Sequence, residues 1–402
     1  MTSEGSGRSE KRGSPAAWKR LPRAWFAALL AVVGGGLLAL LLWPKTAPPT
    51  PTTPATAPQR TIAKIDVHVH LALPLAGELL GIMDESGIQI ALNASGGTPG
   101  SGLERSAQIA QQTRGRVLPY CNLAFNRAED PDWDAYVRET LGSCKRLGAV
   151  GLKIFKSLGL GVTLSDGALL PVDDDRLDLV FEEAGRLGLP VLIHSGDPQA
   201  FFRPPTEDNE RFAELSAHPG WSFYGERRTG PGDWPGWEEI FAQFERRVAR
   251  HPDVTFVGAH FGNAPEEPRR VALMLEQHPN YVVETAARVP EIGRHPAGEM
   301  RRMFERFQDR ILFGTDLSVT SSGLILGSSG DAPDDRTRVP AFFAAHWQYF
   351  ETNGRHMAHP TPIQGSWTID GIGLDRPVLE KLYWRNAARV FGLSLPDRSE
   401  AP

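Results

Sequence analysis

The sequence predicts an α/β chain whose main part is a (β/α)8 TIM barrel with long loop insertions after strands 5 and 8, preceded by an N-terminal transmembrane helix. Three observations carry that prediction. Eight short β-branched or apolar runs alternate with longer stretches of helical periodicity. Several of those runs end in histidine or aspartate, and an uncharged apolar run lies upstream of them all. With 402 residues, 41% hydrophobic, 23% charged and 2 Cys, the chain is neither collagen-like, nor a disulfide scaffold, nor wholly disordered. A net charge of -5, from 43 Lys+Arg against 48 Asp+Glu, excludes the overall basic field that gathers nucleic acid.

Residues 1–23 are polar and basic, with Lys19, Arg20 and Arg23 leading into Ala24 to Trp43, a run without charge. About 20 residues suffice to cross roughly 30 Å of hydrocarbon as a helix, and Trp25 and Trp43 stand near the ends, where interfacial aromatics are favoured. A cleaved signal peptide is the competing reading, but its apolar region is shorter, and Ala55 to Ala57, the A-x-A site, is followed by Pro58. A buried helix hairpin is opposed by the polar, Pro-rich flanks. The charge asymmetry keeps the N-terminus cytoplasmic and places the rest outside, periplasmic or extracellular. Residues 44–60 form a Pro/Thr linker with nothing apolar to bury. The barrel is expected over 61–395, with 396–402 as a tail.

The strand-like runs are Ile62 to His70, Ile88 to Asn93, Val117 to Asn122, Ala149 to Phe155, Pro190 to His194, Thr255 to His260, Tyr281 to Glu284 and Ile311 to Thr315. Helical spacing falls between them, from Leu75 to Ser86 through Ala297 to Phe307, and a last helix over Pro377 to Phe391 is expected to close the barrel. A doubly wound open sheet is the alternative, but the Gly-rich turn expected after its first strand is replaced by His-x-His. The insertions Gly196 to Pro235 and Leu317 to Asp375 are rich in aromatics and emerge at the face where barrel enzymes build their sites. Cys121 near the top of strand 3 and Cys144 in the last turn of the next helix are expected too far apart to pair, and read as packed free thiols.

In KIDVHVHL, strand alternation puts Asp66, His68 and His70 on one face. His194 ends strand 5 in VLIHSGDP, His260 ends strand 6 in FVGAHFGN, and Asp316 ends strand 8 in ILFGTDLS. Four histidines and an aspartate facing one axis are costly to bury without a purpose, and a divalent metal supplies one. Imidazole and carboxylate suit zinc first, with Mn, Fe or Ni as options.

These residues resemble the amidohydrolase superfamily, specifically the amidohydrolase-related branch that includes the aminocarboxymuconate semialdehyde and resorcylate decarboxylases. The resemblance covers Ile62 to Leu393. It implies that His68, His70, His194 and Asp316 bind one metal ion, that His260 stays free of it to polarise substrate or shuttle a proton, and that Asp316 also accepts the proton of the attacking water. In binuclear amidohydrolases a carbamylated lysine on strand 4 bridges two metals. Here AVGLKIFKSLGL offers Lys153 and Lys156, of opposite parity, so only one looks inward. Lys153 is expected to face the site as a catalytic or substrate-contacting group, and Lys156 to meet substrate or form an external ion pair. TatD-like nucleases place a metal-binding Glu at strand 4, which the lysine opposes; PHP-type phosphoesterases need more ligands than the sequence offers.

Arg288 is the best cation for a substrate carboxylate and Arg203 the second, because guanidinium recognises that group bidentately. Glu284 could hold Arg288 or brace a metal-bound histidine. The resulting expectation is a membrane-anchored hydrolase acting on an ester, lactone or amide small molecule, a carboxylate among the options; an oligomer is compatible with it. A non-oxidative decarboxylase using the same residues is the first rival, and a non-catalytic glycan-binding surface module the second.

Overall fold

The computed structural model describes residues 61–330 and 332–395, so the basic segment, the apolar run Ala24 to Trp43, the linker and the tail lie outside the described residues. Among the described residues no helix is long and apolar enough to cross a membrane.

Parallel strands β1 (Ile65–Leu71), β2 (Ile90–Asn93), β3 (Val117–Pro119), β4 (Leu152–Ile154), β5 (Val191–Ile193), β6 (Phe256–Gly258), β7 (Tyr281–Glu284) and β8 (Ile311–Leu312) follow the predicted order, with shorter ladders than the apolar runs suggest. Two seams join the sheets into a TIM-barrel-like ring. Between β3 and β4 the Cys121 N–H donates to Gly151 O (2.8 Å) and the Lys153 N–H to Cys121 O (2.8 Å). Between β8 and β1, Val67 N–H donates to Phe313 O (3.0 Å) and Asp316 N–H to His68 O (2.9 Å).

Helices α1 (Ala76–Ser86), α2 (Leu103–Gln112), α3 (Trp133–Arg146), α4 (Asp178–Arg186), α5 (Trp237–Arg250), α6 (Pro268–Gln277) and α7 (Ala297–Arg306) fill the connections. In α5, Trp237, Ile240, Phe241, Phe244 and Val248 repeat at helical spacing and are buried, Glu238 and Glu239 open the first turn, and Arg247 and Arg250 close the last, matching the macrodipole. The second insertion opens with a hairpin, β9 (Leu317–Thr320) and β10 (Gly323–Leu326), and continues into α8 (Val339–Glu351). Strand 8 therefore does not run on to Thr315 as a regular ladder; it breaks after Leu312 and resumes alongside β1 as β9. The final helical stretch is broken by a π turn at Lys381–Arg385, and its Ala387 and Phe391 join the interior cluster of Ile65, Val67, Leu92, Leu192, Val257, Val282 and Leu312.

Two expectations need correction. Asp66 does not share a face with His68. Asp66 pairs with Ala91 but Val69 with Asn93, three steps against two, so β1 carries a bulge. Ile65 and Val67 belong to the interior cluster and Val69 and Leu71 to the outer one. The bulge lets one strand send apolar residues inward low in the barrel and histidines inward at its top. Its loose backbone groups are satisfied: Tyr120 Oη donates to Val67 O (3.0 Å) and the His68 N–H to Asp66 Oδ1 (3.1 Å).

The second correction is that Cys121 and Cys144 form a disulfide, with Cα atoms 5.8 Å apart. The strands are staggered, so Cys121, beyond the end of β3, lies beside Leu152 at the start of β4. The last turn of α3 descends to that same level.

Candidate metal centre

The site lies where the strands end. His68 and His70 project from β1 beyond its bulge; His68 is fully buried and His70 partly so. Asp316 Oδ1 stands 3.3 Å from His70 Nε2 and 3.6 Å from His68 Nε2. One ligand atom each from His68, His70 and Asp316 lies within 4.8 Å of the others. Each ring is braced from behind: His68 Nδ1 is 2.9 Å from Glu284 Oε1 and His70 Nδ1 is 2.7 Å from Ser95 Oγ. The carboxylate can only accept, so it fixes the His68 tautomer with its proton on Nδ1; the Ser95 hydroxyl orients the His70 ring, and in both rings Nε2 faces Asp316.

Backbone strain accompanies this convergence. His260 (φ 55°), Ala287 (φ 55°) and Asp316 (φ 61°) all take the left-handed conformation that side-chain-bearing residues avoid. Behind Asp316, the Thr315 N–H (3.1 Å) and hydroxyl (2.5 Å) both donate to the Asp66 carboxylate, which fixes the turn. Burial pushes the Asp66 carboxyl up to about 7 against those hydrogen bonds.

Glu284, a fully buried carboxylate at the end of β7, holds His68 and not Arg288. Its Oε1 also accepts the His260 N–H (2.8 Å), and its Oε2 the Ala286 N–H. Lys153 does point inward, with Nζ 3.4 Å from His68 Nε2; burial lowers it to about 8 although Asp316 and Glu284 oppose the shift. Lys156 instead pairs with the buried Asp197 at 2.6 Å and faces the cavity.

His194 is not one of the three converging donors. Its ring packs on His260 (centroids 4.2 Å), and its Nε2, 3.5 Å from Asp197 Oδ1, is buried without a hydrogen-bond partner. Burial and the cations Lys153, Lys156 and Arg288 hold His194 well below the ordinary imidazole range. His260 is likewise held well below the ordinary imidazole range by burial, His194 and Arg288; its Nδ1 lies 2.9 Å from Ala286 O. For Asp316 the burial cost is outweighed by His68, His70 and His260, which keep the carboxylate ionised far below its usual range.

A cavity of about 230 Å³ opens on these groups, lined by His70, His194, His260 and Asp316 together with Lys156, Arg288 and residues of both insertions. Arg203 is not among its walls. The turn Gln199–Phe202 buries Phe201 and leaves Arg203 outside, donating to Gln199 Oε1 (3.1 Å). Arg288 is buried, donates to Ala287 O and has no carboxylate partner among the described residues. Asp197, Ser95 and the Asp66–Thr315 brace escape sequence reasoning. Asp197 had a signal, three residues past His194 in HSGDP, whereas Ser95 and Thr315 act through contacts between strands distant in sequence.

The donor set fits a divalent ion. Two imidazoles and a carboxylate converge, both rings are oriented by a second partner, and His194 Nε2 is orphaned beside them.

The family model described as Amidohydrolase matches residues 65–393, and the chain belongs to that family; it is an enzyme. No curated protein matches it in sequence. Among solved structures it is similar to a probable 2-pyrone-4,6-dicarboxylic acid hydrolase from Acinetobacter baumannii (12% identity, 82% of this chain and 99% of that chain, TM-score 0.47). It is also similar to 5-carboxyvanillate decarboxylase from Sphingomonas paucimobilis (15% identity, 83% and 100%, TM-score 0.45). A third is 4-oxalomesaconate hydratase from Rhodopseudomonas palustris (14% identity, 82% and 95%, TM-score 0.47).

Proposed function

We propose that the protein is a metal-dependent hydrolase that cleaves an ester, lactone or amide bond in a small molecule. The observation that carries this reading is the convergence of His68, His70 and Asp316, of which His70 and Asp316 line one cavity. These three, with His194, would hold one divalent ion, zinc first among Zn, Mn, Fe and Ni. When bound, the ion polarises a carbonyl oxygen and brings the pKa of water toward 7.

The chain's own groups then have separable tasks. Asp316, ionised throughout the physiological range, is a ligand and the first acceptor of the water's proton. His260 donates from Nδ1 to Ala286 O, which leaves Nε2 as an acceptor, so of its two expected roles the shuttle fits better than donation to a carbonyl. Lys153, beside His68 Nε2, adds positive charge next to the reacting carbonyl. Arg288, a buried guanidinium without a carboxylate partner, suits a carboxylate on the substrate. Lys156 is the second cation at that wall.

Decarboxylation at the same residues is the rival reaction, and the Arg288 wall suits it too. Metal analysis of residues 61–402 followed by a screen of lactones, esters, amides and aromatic carboxylates tests both. About one divalent ion per chain with alcohol, acid or amine release supports the hydrolase. Release of carbon dioxide replaces it with the lyase, and metal-free protein inactive after reconstitution removes both.

We also propose that Ala24 to Trp43 anchors the chain with the barrel outside the cytoplasm. The basic residues before the span support this orientation, as does the disulfide, since such bonds persist in oxidising compartments. A reporter fused after Pro402 should be active only outside the cytoplasm; recovery of full-length protein from the cytosol would remove the anchor.

A further inference from the structure

Much of the cavity wall is assembled from three segments that leave different strands: the first insertion after β5, the turn after β7 that carries Arg288, and the second insertion after β8. At their junction sits Arg211, 1% exposed. Its Nη1 donates to Glu214 Oε2 at 2.7 Å within the first insertion, and its Nη2 to Glu291, three residues beyond Arg288. Glu214 in turn accepts the Ser328 hydroxyl of the second insertion, and both Glu214 and Ser328 line the cavity. A second link runs alongside, His218 Nε2 lying 2.9 Å from Ser329 O. The Trp367 indole N–H donates to Pro290 O (2.9 Å), tying the second insertion to the β7 turn.

One guanidinium thus meets two carboxylates, and through them touches all three segments. A buried ionic triad adds little net stability compared with apolar residues of the same volume, because desolvation offsets the attraction. What it adds is directionality, since only one relative placement of the segments satisfies three charges at once. We infer that Arg211, with Glu214 and Glu291, is a positioning triad that sets the substrate wall of the cavity, holding Arg288 and Ser328 in register with the metal centre while touching neither substrate nor metal through Arg211 itself. This rests on the cavity being the substrate site, as proposed above. It assigns the selectivity of the enzyme to a contact between loops and separates it from the ligands on β1 and β8.

Hydrogen exchange and metal content test the inference without a known substrate. In Arg211→Met/Glu214→Gln/Glu291→Gln, which replaces the triad by neutral groups of similar size, amide protection should fall at least tenfold in Val289–Gly293 and around Ser328 together. Bound metal should stay at the wild-type level. Arg294→Gln, which breaks the more exposed Arg294–Glu210 pair beside the triad (2.7 Å), should leave protection at Ser328 unchanged. With a substrate from the screen, the triad variant should show KM raised about 10- to 100-fold and kcat within threefold. Ser328→Ala, which spares the buried charges if the triad variant does not fold, should raise KM severalfold and loosen the second insertion alone. Protection lost only near residues 209–218, or a fall in kcat at constant KM, overturns the inference. Loss of metal from wild-type protein would instead count against the hydrolase reading and leave the exchange result standing.

Discussion

Strand 8 separates two regions that each bury a histidine completely. On the barrel's inner side, His68 lies among Glu284, Asp316, Lys153 and the ring of His260. On the outer side, His346 of α8 lies among Phe313, Phe342 and Phe343, its Nδ1 donating to Phe342 O at 2.8 Å. Phe313 of the aromatic cage and Asp316 of the site are three residues apart. Burial pushes both imidazoles toward the neutral form. The difference is in what else was buried: His346 has one backbone partner and rings, which makes it a core residue, whereas His68 brings a carboxylate behind it and another in front. Burying that many ionisable groups around one ring is unfavourable unless they share a ligand.

The largest expected effect breaks the inner region. His68→Ala with His70→Ala should remove the bound ion altogether and lower turnover by three or more powers of ten, whereas His346→Leu should leave metal content at wild-type level. Equal metal loss from both variants would erase the distinction. His260→Ala divides the inner region further: metal retained, with activity down by about two to three powers of ten, the usual loss for one group acting in the transition state. Asp316→Asn should instead lose activity and metal affinity together. Metal lost from His260→Ala with full occupancy in Asp316→Asn would reverse the two roles.

A smaller effect is expected behind the ligands. Glu284→Gln keeps the size of the side chain but replaces one oxygen by an NH2 that meets a donor either way round, the Ala286 N–H in one orientation or His68 Nδ1–H and the His260 N–H in the other. His68 should then lose its fixed orientation, and metal affinity should drop about 10- to 100-fold, measured by competition with a chelator. Unchanged affinity would show that Glu284 supports the backbone of His260 and Ala286 and does not tune His68.

The inner region was largely legible because its residues recur at strand ends, where parity and alternation say what meets what. His68 with His70 and the inward Lys153 follow from that rule, whereas Asp316 follows only from standing just past the eighth apolar run, since the ladder stops at Leu312 and Asp316 turns in with φ 61°. The failures came where the chain departs from it. A bulge at Asp66 to Val69 reversed the parity of one residue, and strand stagger brought Cys121 level with Cys144, which counting along the chain cannot show. Arg203, the second choice after Arg288, is sent outward by the single turn Gln199–Phe202. The Arg211 triad was invisible because its partners lie 3 and 80 residues away, on helical turns of six and five residues that are too short to show periodicity. His346 was read only as one aromatic-rich stretch among others, since helical spacing alone does not tell a cage from a cleft.

The smallest expected effect belongs to the outer region and concerns pH. Burial lowers His346 to about 4, with only the hydrogen bond to Phe342 opposing. In the unfolded chain the same imidazole titrates near its ordinary value. Above that value both states are neutral and the group contributes nothing to the pH dependence. As pH falls below it the unfolded state takes up a proton that the folded state refuses, so stability declines until the folded pKa is reached. Between pH 7 and 5.5 this amounts to about 1 kcal/mol. Urea unfolding at the two pH values should therefore show wild-type protein losing about that much more stability than His346→Leu, the difference between the pair cancelling the carboxylates they share. Parallel losses in the two proteins would mean that His346 reaches water or a charge in solution, and the contrast between cage and cleft would fail at its simpler end.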